Sequence, residues 1–242
     1  MTAAEPAAGG WPGFWGGNHS IYVNERHARI HYARIADDLA RLIGAESAER
    51  VLDWGCGDAL SAPVAAARCG TLFLYDAVEP VQARLHARFA GKSNIRVLDS
   101  RAWATVPDAS IDLVVMNSVA QYLSQAELGK VLEDFQRVVR PTGAVIFADI
   151  IPPHQSPIAD IGALLQPALA NGYFLPALAG LVRTYFSDYR TLRATAGFSC
   201  YSEVAFIDLL ASHGFDAERL NRNVGFSAHR MAFRARPRRS AP

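Results

Sequence analysis

Two patterns of apolar residues alternate along the chain. In the first, short unbroken apolar runs end in turn residues: Arg50–Trp54, Thr71–Asp76, Asn94–Ser100, Ile111–Asn117 and Ala144–Asp149. Such runs, without polar alternation, predict strands buried on both faces of a parallel sheet. In the second, apolar positions recur at helical spacing. Ile30, Ala33, Ile35, Leu39 and Leu42 form one stripe and predict a helix over Asn24–Ile43, with Asn24 as its cap. Further helices are predicted over Ala59–Cys69, Glu79–Phe89, Glu127–Val139 and Glu203–His213, the last stopped by Gly214. Arg140-Pro141-Thr142-Gly143 reads as a turn, and Phe215–Leu220 and Phe226–Phe233 as two closing strands, antiparallel. Strand and helix in alternation predict an α/β domain.

Two stretches depart from this rhythm. Residues 1–17 are rich in Ala, Gly and Pro yet carry Trp11, Phe14 and Trp15. They read either as a flexible arm or as an arm folded over a pocket. Ile161–Val182 holds no charged residue over 22 positions. That length would span a bilayer, but Pro167, Pro176 and Asn171-Gly172 interrupt it, so two short apolar helices joined by a turn are expected instead. The chain divides into an arm (1–23), one domain (24–235) with an insert at about 155–200, and a basic tail (236–242).

The chemistry concentrates where the first strand ends, at Asp53-Trp54-Gly55-Cys56-Gly57-Asp58-Ala59. Glycine takes backbone angles that other residues resist and lets a ligand approach the main chain. The following helix is expected to aim unpaired N–H groups at the turn. Asp76 closes the second strand 19 residues after Gly57 (76 − 57). In nucleotide-binding βαβ units an acid about 20 residues on accepts ribose hydrogen bonds. Glu79 competes for that role, although Pro80 suits a helix start and makes Glu79 a dipole-matched residue.

With these residues the sequence resembles the class I S-adenosylmethionine-dependent methyltransferases, whose first motif reads acid-x-Gly-x-Gly-x-Gly. Asp53, Gly55 and Gly57 match it, and Ala59 stands in the third glycine's place. Dehydrogenases space their glycines as G-x-G-x-x-G, and here Leu60 occupies that last place. The resemblance implies a seven-stranded, mostly parallel Rossmann-like sheet with helices on both faces, the last strand antiparallel, and a helical lid insert after strand five. It implies S-adenosyl-L-methionine as cofactor, bound through Asp53, Gly55, Cys56, Gly57, Asp76, Asp99, Ser100 and Asn117. Asp99 would meet the adenine amino group, the Ser100 backbone a ring nitrogen, and Trp103 would lie near the base. The strand-four tip, Asn117-Ser118-Val119-Ala120-Gln121-Tyr122, would lie beside the reactive methyl. It lacks the Asn-Pro-Pro-Tyr type tetrapeptide of amino-directed DNA methyltransferases, and no Pro-Cys of the cytosine-C5 type is present.

Candidates for a base at the pocket mouth are His154, Tyr22, Gln121 and Tyr122, with His19 beside the acceptor. The insert, read as a lid, would place Leu165, Phe174 and Tyr185 against an acceptor that is partly apolar: a small molecule or lipid. His27 and His31 share a helix face, but no third metal ligand accompanies them. A net charge of +1 gives no bulk attraction to nucleic acid or anionic membranes. Four arginines over Arg234–Arg239 read as a disordered tail. Cys56, Cys69 and Cys200 lack metal-ligand spacing, and with no leader pattern at the start they suggest a reducing cytoplasm. Two other readings remain: a methyltransferase directed at protein or RNA, and a non-catalytic cofactor-binding protein whose apolar insert serves as a homodimer surface.

Overall fold

The structure, a computed structural model, describes residues 25–153, 165, 169 and 198–238. Seven strands form one sheet: β1 (Arg50–Trp54), β2 (Thr71–Tyr75), β3 (Ile95–Leu98), β4 (Ile111–Asn117), β5 (Val139–Ile150), β6 (Phe215–Arg219) and β7 (Met231–Pro237). Their order is β3-β2-β1-β4-β5-β7-β6. The first five run parallel, whereas β7 is antiparallel to both β5 and β6. The expected seven-stranded, mostly parallel sheet is therefore present, with its last strand antiparallel.

The unbroken apolar runs have the cause the pattern suggested: both sheet faces are covered. Leu52, Trp54, Phe73, Tyr75, Val114, Met116, Val145 and Phe147 project to one side. There they meet α4 (Ser100–Ala104), α5 (Gln125–Val138) and α6 (Glu203–Ser212) through Trp103, Phe135 and Phe206. Val51, Leu72, Leu74, Leu113, Val115 and Ile146 project to the other. They meet α1 (Glu25–Glu46), α2 (Ala62–Ala66) and α3 (Glu79–Phe89). The first side is built on stacked aromatic rings, the second on aliphatic side chains. Tyr75 lies 5.4 Å from Trp103 and 5.6 Å from Trp54, centroid to centroid.

Several boundaries differ from the sequence reading. The helix after the glycine turn is the short α2, because Pro63 fixes a helical start well inside the expected span. It does not carry a helix N-terminus to Gly57. β5 begins at Val139, and Arg140–Gly143 forms an irregularity within the strand, not a turn before it. Ile111 pairs with Val139, but Leu113 pairs with Ala144. β7 starts at Met231, not Phe226, and continues to Pro237. The arginines read as tail are thus partly strand residues. Arg234 and Arg236 both pair with Glu46 at the end of α1, and Arg238 pairs with Asp216. Trp103 is buried against Tyr75 and Phe135 in the aromatic core.

Candidate active site

Strand order reverses direction at β1, which has β2 on one side and β4 on the other. In open α/β sheets ligands bind outside the carboxyl ends of the strands at such a switch point. The Gly55–Gly57 turn leaves β1 there. Gly55 N–H and Cys56 N–H both donate to the Tyr75 carbonyl, at 2.7 and 3.1 Å. The two glycines serve different ends. Gly55 has φ +74°, and a Cβ there would stand 2.5 Å from Val119 Cγ2, so the turn packs directly onto the strand-four tip. Gly57 has φ +55°, and a Cβ there would meet nothing within 4 Å, so its outer face is open. Ala59, in the third glycine's place, is buried with φ +45°.

Two carboxylates face this turn. Asp76 is buried, and its Oδ2 accepts the Gly57 N–H at 3.0 Å while Oδ1 accepts the Val78 N–H at 3.0 Å. Burial raises its pKa, partly offset by those two hydrogen bonds. Asp53, in β1, is pushed up to about 7, first by burial and then by the nearby Asp76. Asp53 itself is half-buried, and among the described residues no hydrogen-bond donor is seen on its carboxyl. The Cys56 thiol is pushed up well above its ordinary range by burial, then by Asp53 and Asp76, which makes it a poor nucleophile.

The remaining sequence candidates separate by position. Asp99 caps α4, its Oδ1 accepting the Ala102 N–H at 2.7 Å, and the carboxylate is exposed. Ser100 is exposed, and burial raises the pKa of the Tyr75 hydroxyl, partly offset by Ser100. Asn117 ends β4, and its buried Oδ1 has no hydrogen-bond partner. Gln121 is buried with Oε1 equally unpartnered. Tyr122 packs edge-on against Phe198 at 5.6 Å. Leu165 is helical and half-buried. Glu79 is exposed at the start of α3. His154, Tyr22, His19, Phe174 and Tyr185 lie outside the described residues. Both stubs of the insert do lie at this end of the sheet. Tyr201 N–H donates to the Ile151 carbonyl, and Ser199 N–H to the Gln121 carbonyl, each at 2.9 Å.

The sequence reading missed one polar cluster here. Asp149 sits in a register irregularity of β5, between Phe147 and Ile150, with φ +64°. Its neighbour across the strand ends, Ser118, has φ +60°. Left-handed backbone at two non-glycine residues is strain that surrounding contacts must hold in place. Those contacts are visible. Ser118 Oγ donates to Asp149 Oδ2 at 2.8 Å, Arg230 Nη1 donates to the same oxygen at 2.9 Å, and Asp149 N–H donates to Asn223 Oδ1 at 2.9 Å. The available signal was that the apolar run of strand five, like those of strands two and three, leads into an aspartate.

Among the described residues no group of three or more His, Cys, Asp and Glu side chains could hold a metal ion. No helix among them is long and apolar enough to cross a membrane.

Residues 52–147 match the family model described as methyltransferase domain. No curated protein matches the chain. Solved structures do. A putative O-methyltransferase from Nostoc punctiforme is 18% identical with a TM-score of 0.59, covering 87% of this chain and 58% of its own. Human N-acetylserotonin methyltransferase, solved with S-adenosylmethionine, is 14% identical with a TM-score of 0.57, covering 84% and 52%. Magnesium protoporphyrin IX methyltransferase from Synechocystis, solved with S-adenosylhomocysteine, is 14% identical with a TM-score of 0.55, covering 94% and 93%. The chain thus spans little more than half the length of the first two. At these identities the likeness is one of fold.

Proposed function

We infer that this chain, a class I S-adenosylmethionine-dependent methyltransferase through its methyltransferase domain and sheet, methylates an oxygen or nitrogen atom of a partly apolar small molecule or lipid. The observation that carries the cofactor part is the pairing of an open Gly57 face with the half-buried Asp53 carboxyl, which desolvation and the nearby Asp76 push up to about 7. Desolvation of a carboxylate beside a second carboxylate disfavours its charged form, and the ammonium of a bound amino-acid moiety offsets that cost. The residues present therefore fit the cofactor. Asp53 holds its ammonium, the turn at Gly55, Cys56 and Gly57 lies against it, Asp76 accepts from the ribose, and Asp99 and Ser100 meet the adenine.

When bound, S-adenosylmethionine supplies a methyl group on a sulfonium that is already a good leaving group. What the chain adds is alignment of the acceptor and removal of its proton where the acceptor is a hydroxyl or a protonated amine. Asn117 Oδ1 and Gln121 Oε1 are buried acceptors in want of donors, and orient ligand N–H or O–H groups. His154 is the preferred base, with Tyr22 and Tyr122 as the other candidates. The uncharged insert, with Leu165, Phe174 and Tyr185, covers the apolar part of the acceptor, and His19 of the arm lies against it. A cytoplasmic setting fits the unpaired thiols of Cys56 and Cys69.

The test is a methyl-transfer assay with labelled S-adenosylmethionine against a panel of hydroxylated and amino apolar compounds, beside calorimetry with S-adenosylhomocysteine. Turnover on apolar members, with Leu165→Lys raising KM and leaving S-adenosylhomocysteine affinity unchanged, is expected. A wild-type protein that binds no S-adenosylhomocysteine overturns the reading.

A further inference from the structure

A second concave feature lies on the same rim of the sheet, between α1 and the loop joining β6 to β7. It is a cavity of about 260 Å³ whose lining includes Arg34, Arg219, Arg222, Arg230, Asn221 and Asn223. Among the described residues no carboxylate lines it. The carboxylate that holds two of these arginines sits behind the wall. Asp38, 2% exposed, pairs with Arg34 at 3.1 Å, Arg41 at 3.4 Å and Arg222 at 3.2 Å. It also accepts the Gly225 N–H at 3.1 Å. One carboxylate thus serves three guanidinium groups, and the four arginines that line the cavity pair with three carboxylates, Asp38, Glu203 and Asp149, which leaves a surplus of one positive charge at the wall. Asp38 also fixes the geometry of its own three partners, since each guanidinium spends one nitrogen on it and keeps further N–H donors for another acceptor. Arg34 is additionally held over the Phe226 ring, 5.8 Å from its centroid. Arg219 pairs with Glu203 at 2.7 Å in an exposed pair, which water screens.

A preorganised pocket lined by four guanidinium groups and no carboxylate among the described residues recognises an oxyanion. We propose that it seats an anionic group, carboxylate or phosphate, carried by the methyl acceptor; this rests on the methyltransferase reading above. The location is the argument for the acceptor. Asn223, in the cavity wall, receives the Asp149 N–H, and Asp149 accepts from Ser118, the residue after Asn117 at the tip of β4. The cavity and the expected point of methyl transfer are therefore joined by one chain of hydrogen bonds. The acceptor then carries an acidic group that sits at the arginines.

Calorimetry on the full chain with octanoate, octyl phosphate and 1-octanol tests this. At least one of the two anions is expected to saturate, which of them identifying the oxyanion, while the neutral alcohol binds roughly tenfold more weakly or not at all. Asn221→Asp places a negative charge in the cavity without removing a hydrogen bond seen in the structure, and should weaken the bound anion by about tenfold. Arg222→Gln should do the same, with Arg34 and Arg41 still on Asp38. Equal binding of the alcohol, anion affinity unchanged in Asn221→Asp, or no anion binding by the wild type overturns the proposal. S-adenosylhomocysteine titrated in parallel separates the two ideas. If it binds while the anions fail, the acceptor class falls and the methyltransferase reading stands. If it fails while the anions bind, that reading falls instead.

Discussion

Asp76 holds Gly57 in place: the carboxylate bonds the main chain of the turn and of the α3 entry at once, at 3.0 Å each. The same side chain is the proposed ribose acceptor, so its loss acts twice. Asp76→Ala is expected to weaken S-adenosylhomocysteine by roughly 2–4 kcal/mol, from charged hydrogen bonds of about 1.5–3 kcal/mol each. It should also speed amide exchange at Gly57 in the unliganded protein. Calorimetry with hydrogen exchange measures both. Affinity lost with Gly57 exchange unchanged would restrict Asp76 to ligand contact, and unchanged affinity would remove it from the site.

Asp53 makes cofactor binding depend on pH. Its pKa of about 7 in the folded protein lies above the ordinary value of 3.8. Below 7 the carboxyl is largely protonated, and ionising it for an ammonium ligand releases a proton. S-adenosylhomocysteine affinity should therefore rise with pH up to about 7 and level off above it, and Asp53→Asn should flatten the profile. Titrations at pH 6 in buffers of different ionisation enthalpy detect the released proton.

The same shift has a stability consequence of opposite sign. A carboxyl whose folded pKa is raised penalises the fold as pH climbs from about 4 to 7, because the folded state holds its proton longer than the unfolded state. Asp53→Asn removes the penalty. The unliganded variant should match wild type near pH 4 and exceed it by roughly 1–3 kcal/mol at pH 8. Melting curves across that range decide it, and a gap that shrinks with pH would show that burial does not govern Asp53.

Gly55 and Val119 form a steric pair. Gly55→Ala should cost about 1–3 kcal/mol by overpacking, since its Cβ would lie 2.5 Å from Val119 Cγ2. Adding Val119→Ala should restore part of it, leaving the cost of φ +74°. Denaturant unfolding of the two singles and the double gives the coupling. Gly57→Val behaves differently: with open space around it, the variant should fold but lose S-adenosylhomocysteine binding.

Ala59→Gly should stabilise the protein by about 0.5–1 kcal/mol. The residue is buried at φ +45°, where alanine is strained by roughly 1–2 kcal/mol and glycine is not, less what glycine loses in chain entropy. Chemical denaturation measures the difference.

The sheet and the glycine turn were legible because both rest on local requirements. Strands buried on two faces need unbroken apolar runs, and Gly55 and Gly57 need left-handed backbone. Features set by distant partners were not. Phe226 reads as the start of a strand but packs in the loop beside His31, 6.4 Å away. Arg234 and Arg236 read as a solvated tail because Glu46, which pairs with both, is almost two hundred positions earlier. Trp103 follows a proposed adenine contact in sequence, yet a one-turn helix swings it into the aromatic core. Asp149 was passed over because a strand-terminal aspartate is ordinary until Ser118, Asn223 and Arg230 converge on it.

The last strand in sequence order lies inside the sheet, between β5 and β6. On the ribosome β6 therefore emerges first and has no sheet neighbour to join, since its pairing is with β7 alone. Until Met231–Pro237 clears the exit tunnel, the β5 edge at Val145–Ile150 stays open and Glu46 lacks the arginines that tie α1 to the sheet. From the completion of β5 until β7 arrives, the nascent protein thus carries an unsatisfied edge, the kind of surface that holdase chaperones cover.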